Sequence, residues 1–293
     1  MKIFLTGSNG FIGNSIQKYF SRPYEFIKYK RDSRIIINED AVLHFAGKAH
    51  DLKNTTFASE YYEVNTEFTK KVYDIFLESN AKVFIFLSSV KAVADKLEYI
   101  LTEDIMPNPK THYGKSKLLA EQYILNKQIP SDKRVYILRP CMIHGEGNKG
   151  NLNLLFNFVK LGIPWPLGAY NNNRSYCYIE NLIFIIKQLL EDENIPTGIY
   201  NISDDLTIST NDLIKLISIS QRKSIRIWSI PNSIINILCK FGDYLNLTIN
   251  SNNLRKLTET YEVSNYKIKN AIKKDLPFTT ITGLQKTFLS YIL

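Results

Sequence analysis

The chain opens on an apolar run, Lys2-Ile3-Phe4-Leu5-Thr6, that breaks at Gly7 and resumes as a helical pattern from Phe11, with further glycines at 10 and 13. Few local patterns restrict a fold more. A buried strand that enters a glycine turn and leaves as a helix is the first βα unit of a parallel sheet. Glycines in that turn let the backbone approach a pyrophosphate at the helix N-terminus. The same break at Gly7 comes too early for the apolar core of a signal peptide.

Behind this unit, β-rich apolar runs alternate with helical patterns. Strands are expected over 25–30, 41–45, 82–87 and 134–138, and helices over 11–20, 59–79 and 113–126. That alternation predicts an α/β fold with a doubly wound parallel Rossmann sheet. The third βα unit has to be abbreviated, because the chain between Lys30 and Ala41 is too short for a full crossover. Ile35-Ile36-Ile37 is the expected stub of a strand there. After Pro140 the pattern loosens, with a helix near 152–160, a long helix near 179–190 and a strand near 198–202. The organisation expected is a first domain over 1–145, rejoined at about 175–205, and a smaller, mostly helical substrate lobe interleaved over 146–293.

Composition narrows the function classes. The formal charge is +9, yet the basic residues are spread along the chain without a dense run or an RNA-binding module, so nucleic acid is not the expected partner. Cys141, Cys177 and Cys239 lack the spacing of a disulfide framework or a zinc site. Four scattered histidines give no metal site, and a reducing, cytoplasmic compartment fits best. The longest later apolar run, 182–186, is too short to span a bilayer, so no membrane partner is expected.

Two clusters carry chemistry. Ser88 and Ser89 follow the strand ending at Leu87, and carboxyl ends of parallel strands face the ligand crevice. Tyr113 and Lys117 are four apart, on one face of a predicted helix. An ammonium about 4 Å from a phenol oxygen would favour the tyrosinate by roughly 4 kcal/mol, or about three pKa units. The spacing therefore predicts a phenol drawn toward neutral acid–base chemistry.

With these motifs in order, the chain resembles the extended short-chain dehydrogenase/reductase family, which includes nucleotide-sugar epimerases, dehydratases and 4-keto reductases. The resemblance rests on 6–13, His44-Phe45-Ala46-Gly47, Asn65, Ser88-Ser89, Tyr113/Lys117, Leu138-Arg139-Pro140 with Gly145-Glu146-Gly147, and Arg174-Ser175-Tyr176. It implies that Tyr113 is the acid/base, Ser89 its hydroxyl partner with Ser88 as fallback, and Lys117 the residue that holds the nicotinamide ribose and lowers the tyrosine pKa. The implied cofactor contacts are Gly7, Asn9, Gly10, Phe11, Ile12, Gly13, Lys30, Arg31, Phe45, Ala46, Gly47, Asn65, Pro140 and Ile143, with Cys141 to Ile143 passing the nicotinamide amide. The implied substrate contacts are Ser89, Lys91, Met142, Asn151, Trp165, Leu167 and Arg174, with Lys149 and Gly150 beside Asn151. Lys91 and Ala92 depart from the Val-Tyr-Gly of many epimerases, and look more like the branch acting on N-acetylated, 6-deoxygenated UDP sugars.

A carboxylate past the second strand would favour NAD and a base would favour NADP. Lys30 and Arg31 give NADP first, and Asp32 keeps NAD second. NADP in turn points to net reduction of a nucleoside-diphosphate 4-keto sugar, feeding surface polysaccharide synthesis. The alternatives are a UDP-hexose 4-epimerase with tightly held NAD and a non-catalytic dinucleotide sensor. The family also implies a homodimer through its two long helices.

Overall fold

A computed structural model of the chain describes all residues except 21, 32, 50–56, 149, 246, 248, 249 and 293, and of Asn151 only the backbone. Six parallel strands form the main sheet: β1 (Lys2–Thr6), β2 (Glu25–Lys28), β3 (Ala41–His44), β4 (Val83–Leu87), β5 (Arg134–Pro140) and β8 (Gly198–Ile202), in the order β2-β1-β3-β4-β5-β8. The strands inside the edges are buried along nearly their whole length and mostly apolar, with polar residues such as Lys2, Thr6, His44, Arg134 and Arg139 at or near their ends, because both faces of the sheet are covered. The period of two is still visible in what each residue meets. Ile3 and Leu5 of β1 join one core with Leu43, Ile85, Leu138 and α6 (Ile179–Glu191), whereas Phe4 between them joins Val42, Phe84, Phe86 and Ile137 on the other side.

β1 continues through the glycine turn into α1 (Phe11–Tyr19). The long helix expected over 59–79 is α2 (Ala58–Tyr62), a π-helical turn (Glu63–Glu67) and α3 (Phe68–Glu78) in unbroken succession. α4 (His112–Leu125) packs beside it. The abbreviated unit is abbreviated further than expected. Ile35–37 forms no strand: Ile37 turns into the core, Ile35 packs partly buried against it, Ile36 is exposed, and Asp40 N donates to Lys2 O at 2.9 Å just before β3. β2 ends at Lys28, so Lys30 and Arg31 lie in the exposed stretch beyond it.

The remaining chain builds a second core from α5 (Asn151–Lys160), α7 (Thr210–Ser220) and α11 (Thr280–Leu289), around Leu152, Phe156, Leu213, Ile217, Leu284 and Phe288. The sequence pattern missed a short parallel pair, β6 (Met142–His144) with β7 (Tyr176–Tyr178). Residues three long alternate too briefly to register as strands. Two further helices, α8 (Asn232–Tyr244) and α9 (Ser251–Thr258), belong to this lobe, whereas α10 (Tyr266–Ile272) returns to the main sheet, packing Ile268 and Ile272 into its core beside β8 and α6.

Candidate active site

The glycine turn is built by three glycines with three different jobs. Gly7 has φ +71°, and a Cβ there would sit 2.6 Å from Ala46 N. A Cβ on Gly13 would sit 2.2 Å from Gly7 O, so only glycine lets α1 close onto the turn. Gly10 is the N-cap of α1, with its N–H donating to Gly7 O at 3.0 Å and no closer neighbour for a Cβ than that oxygen at 3.3 Å. The first turn of α1 carries neither a side-chain cap nor an acid. Its amides are thus left to the positive end of the helix dipole, the arrangement that binds phosphate. The residues present fit a dinucleotide.

The second wall comes from the loop after β3. A Cβ on Gly47 would lie 2.9 Å from Lys117 Nζ and 3.2 Å from Asn65 Oδ1, so Gly47, Asn65 and Lys117 meet at one point. Asn65 sits in the π-helical turn, where the wider winding turns it into the interior. Its Oδ1 accepts from Lys48 N at 2.8 Å, and its Nδ2 donates to Lys48 O and Ser116 Oγ, each at 3.0 Å. Ser116 Oγ in turn donates to Tyr113 O at 2.8 Å. A buried polar chain reinforces the loop from behind: Ala46 N donates to Thr6 Oγ1, which pairs with His44 Nδ1 at 2.8 Å, and His44 Nε2 pairs with Thr69 Oγ1 at 2.9 Å. Burial, with the nearby Lys117 charge, lowers the His44 pKa to about 3, so this histidine is a neutral strut.

The two serines separate cleanly. Ser88 Oγ donates to Glu121, whose carboxylate also receives Arg139 Nη2 at 2.6 Å and Nε at 3.0 Å, all of it buried. The fallback serine is therefore spent on structure. Ser89 faces the other way, capping the 3₁₀ turn of 90–92 through Lys91 N at 3.2 Å and hydrogen-bonding the Tyr113 phenol. Gly114 permits this closeness, since a Cβ there would lie 2.3 Å from Lys91 O.

The electrostatics correct the expectation drawn from the Tyr113/Lys117 spacing. Burial holds the Tyr113 pKa above that of a free phenol, the Ser89 hydrogen bond works against this, and Tyr61 adds to it. Burial likewise lowers Lys117 to about 8. Its ammonium donates to Leu87 O at 2.8 Å and lies 4.8 Å from the centre of the Phe86 ring. Helical spacing put the two groups on one face, but desolvation favours the neutral form of each and is the largest influence on both.

Across the cleft, Lys91 stacks 3.9 Å from the centre of the Tyr261 ring and donates to Asp95 O at 2.9 Å. Burial lowers its pKa to about 8; Asp95 and Glu259 oppose this, and the charges of Arg174 and Arg255 assist it. Sequence reasoning found Arg174 but missed Arg255 and Tyr261. Nothing local marks them, because α9 and the segment after it bring them from the far end of the chain. Pro140 closes β5 opposite Ile202, and Met142 and Ile143 lie partly buried on β6. Trp165 and Leu167 are elsewhere, in the second core, with Trp165 only 3% exposed and its indole N–H donated to Asn211 Oδ1 at 2.9 Å. That leaves them almost no surface for the substrate contact expected of them. Asn9, Phe11 and Ile12 flank the glycine turn. Lys149 and Asp32 lie outside the described residues, as does the side chain of Asn151.

The family described as NAD dependent epimerase/dehydratase matches residues 3–203. The UDP-glucose 4-epimerase of Vibrio cholerae is 28% identical over 99% of this chain and 95% of its own length. Among solved structures, RMD from Pseudomonas aeruginosa complexed with NADPH superposes with a TM-score of 0.73 at 18% identity, covering 99% of this chain and 98% of that one. The UDP-glucuronic acid 4-epimerase of Bacillus cereus in complex with NAD gives 0.74 at 18%, covering 100% and 99%. At these identities the structures share the fold.

Proposed function

The chain belongs to the NAD dependent epimerase/dehydratase family, and from that premise we propose that it inverts a hydroxyl-bearing carbon of a nucleoside-diphosphate hexose, with C4 as the position. The observation that carries the reading is the pairing of Ser89 with the Tyr113 phenol past the end of β4, with Lys117, one helical turn on from Tyr113, donating to Leu87 O and facing Gly47 after β3. A relative of nearly equal span that is a UDP-glucose 4-epimerase supports inversion over other chemistry.

Gly7, Gly10, Gly13, Ala46, Gly47, Asn65 and Lys117 would hold the dinucleotide. When bound, its nicotinamide supplies hydride acceptance and return. The chain's own work is proton transfer and orientation. Once Tyr113 Oη has given up its own proton, the ionised oxygen takes the proton of the sugar hydroxyl and returns it to the opposite configuration, so no net proton is consumed. Ser89 hydrogen-bonds the phenol and opposes the effect of burial on its pKa, which eases proton removal. Lys91, Arg174 and Arg255 gather positive charge across the cleft, suited to the diphosphate of the substrate.

Net reduction of a 4-keto sugar with NADPH is the second reading, favoured by Lys30 and Arg31 beyond the end of β2. One experiment separates them. The purified protein is dialysed and its bound nucleotide extracted; it is then incubated with UDP-glucose or UDP-N-acetylglucosamine without added cofactor, and separately with a 4-keto sugar nucleotide and NADPH. Retained NAD and a new epimer by chromatography support inversion. Steady loss of NADPH absorbance, only with the keto sugar, replaces it with reduction. Inactivity in both arms rejects both readings.

A further inference from the structure

α8 is far more apolar than its packing requires. Ile235, Cys239 and Gly242 form its buried face. At 100° per residue these occupy roughly 60° of the helix circumference. Ile234, Ile237, Leu238, Phe241, Tyr244 and Leu245 cover about 120° more, and all are exposed, with Ile237 at 67%, Phe241 at 63% and Tyr244 at 84%. The segment leading into the helix carries Trp228, 52% exposed. Singly scattered apolar residues are ordinary on a surface, but a continuous stripe of this kind marks a partner.

The surrounding charge says which partner. Residues 222–256 contain six basic side chains, Arg222, Lys223, Arg226, Lys240, Arg255 and Lys256, all exposed, and one acid, Asp243. That acid is tied to Ser251, accepting from its backbone N at 2.9 Å and from its hydroxyl at 2.5 Å. A second copy of the same face would bring like charges together. An anionic bilayer offers the apolar layer that the stripe needs and the negative headgroups that its flanks need.

We propose that α8, with Trp228 at its edge, is an interfacial helix that docks the protein onto anionic phospholipid membranes. The helix lies flat, with its exposed apolar stripe among the acyl chains near the headgroups and Arg222, Lys223, Arg226 and Lys240 at headgroup level. Among the described residues no helix is long and apolar enough to cross a membrane, and this contact needs none. The inference stands whichever sugar reaction is correct.

The test floats the full-length protein with vesicles of phosphatidylglycerol and phosphatidylethanolamine, against vesicles of phosphatidylcholine alone. The chain has two tryptophans, and Trp165 is buried, so Trp228 reports directly on the docking face. The protein is expected to float with the anionic vesicles only, with Trp228 emission moving to shorter wavelength and the effect weakening in salt. The double variant Ile237→Ser/Phe241→Ser should partition at least about tenfold more weakly with an unchanged melting temperature. Absence of flotation and of an emission shift overturns the proposal, as does undiminished flotation of that variant. So does a variant that only lowers the oligomeric mass, which would assign the face to self-association. Should the double variant misfold, Arg222→Gln/Lys223→Gln/Arg226→Gln decides: binding retained at full strength by this triple variant overturns the proposal.

Discussion

The sheet-bound half of the candidate site and the α8–α9 corner of the second lobe obey opposite rules. Around Ser89, Tyr113 and Lys117, placement is fixed redundantly: Gly7, Gly13 and Gly114 with no room for a Cβ, a neutral His44 strut between two threonines, and Asn65 joined to Lys48 and Ser116. At α8 only two side chains and a glycine reach the core, and α9 buries none. The first region has little freedom to vary because each group is held from several sides. The second keeps surplus apolar surface and unopposed charge, the signature of a face with work to do outside the fold.

Four measurements would break or sharpen that contrast. The largest effect belongs to Tyr113→Phe, which keeps the ring and removes the proton. Turnover should fall by about 10²- to 10⁴-fold, with the melting curve preserved, by chromatography of the sugar nucleotides. A variant with full turnover would end the assignment. Glu121→Ala comes next, since it strands the buried Arg139 guanidinium and removes the acceptor of Ser88. It should cost about 3–5 kcal/mol in urea denaturation. A loss below 1 kcal/mol would show that the region is less tightly determined than its hydrogen bonds indicate.

Lys117 supplies a pH test. Its folded pKa is lowered by burial from 10.5 to about 8, so between those values the unfolded chain binds the extra proton and stability rises with pH. The buried charge costs about 3 kcal/mol below pH 8, a cost relieved by about pH 10.5. Lys91 shifts in the same direction and adds to the rise. Lys117→Met should remove its share, measured as unfolding free energy across the window, and a profile identical to the parent would refute the shift. The smallest effect is expected in the second region. Ile237→Ser alone should change stability by less than about 0.5 kcal/mol in the absence of lipid. A larger loss would mean that the stripe is packed against something within the chain.

Much of the fold was legible. The alternation of strands and helices needs only local pattern, and the six-stranded sheet follows it with boundaries off by one or two residues. The abbreviated third unit was visible as missing chain length. Ile35–37 misled because three β-branched residues look like a strand, and Ile35 and Ile37 do face the core with Ile36 exposed, yet the segment pairs with no neighbouring strand. The glycine turn, Gly47, Ser89, Tyr113 and Lys117 were each announced by a motif; the structure sets Gly7 against Ala46, Gly47 against Lys117 and Ser89 on the Tyr113 phenol. The pair Ser88 and Ser89 was ambiguous, since adjacent residues on an extended chain point to opposite sides and their neighbours are needed to tell which side is the cleft.

The amino-acid order by itself determined the parallel sheet, the glycine turn and which side chains are candidates for the chemistry, because these depend on period, backbone freedom and spacing within a few residues. Only the tertiary structure decided the direction in which the Tyr113 and Lys117 pKa values move, the fate of Trp165, and the arrival of Arg255 and Tyr261 opposite Lys91. Each of those depends on burial or on contacts between segments more than fifty residues apart. Desolvation is a property of the assembled interior, and no spacing along the chain encodes it.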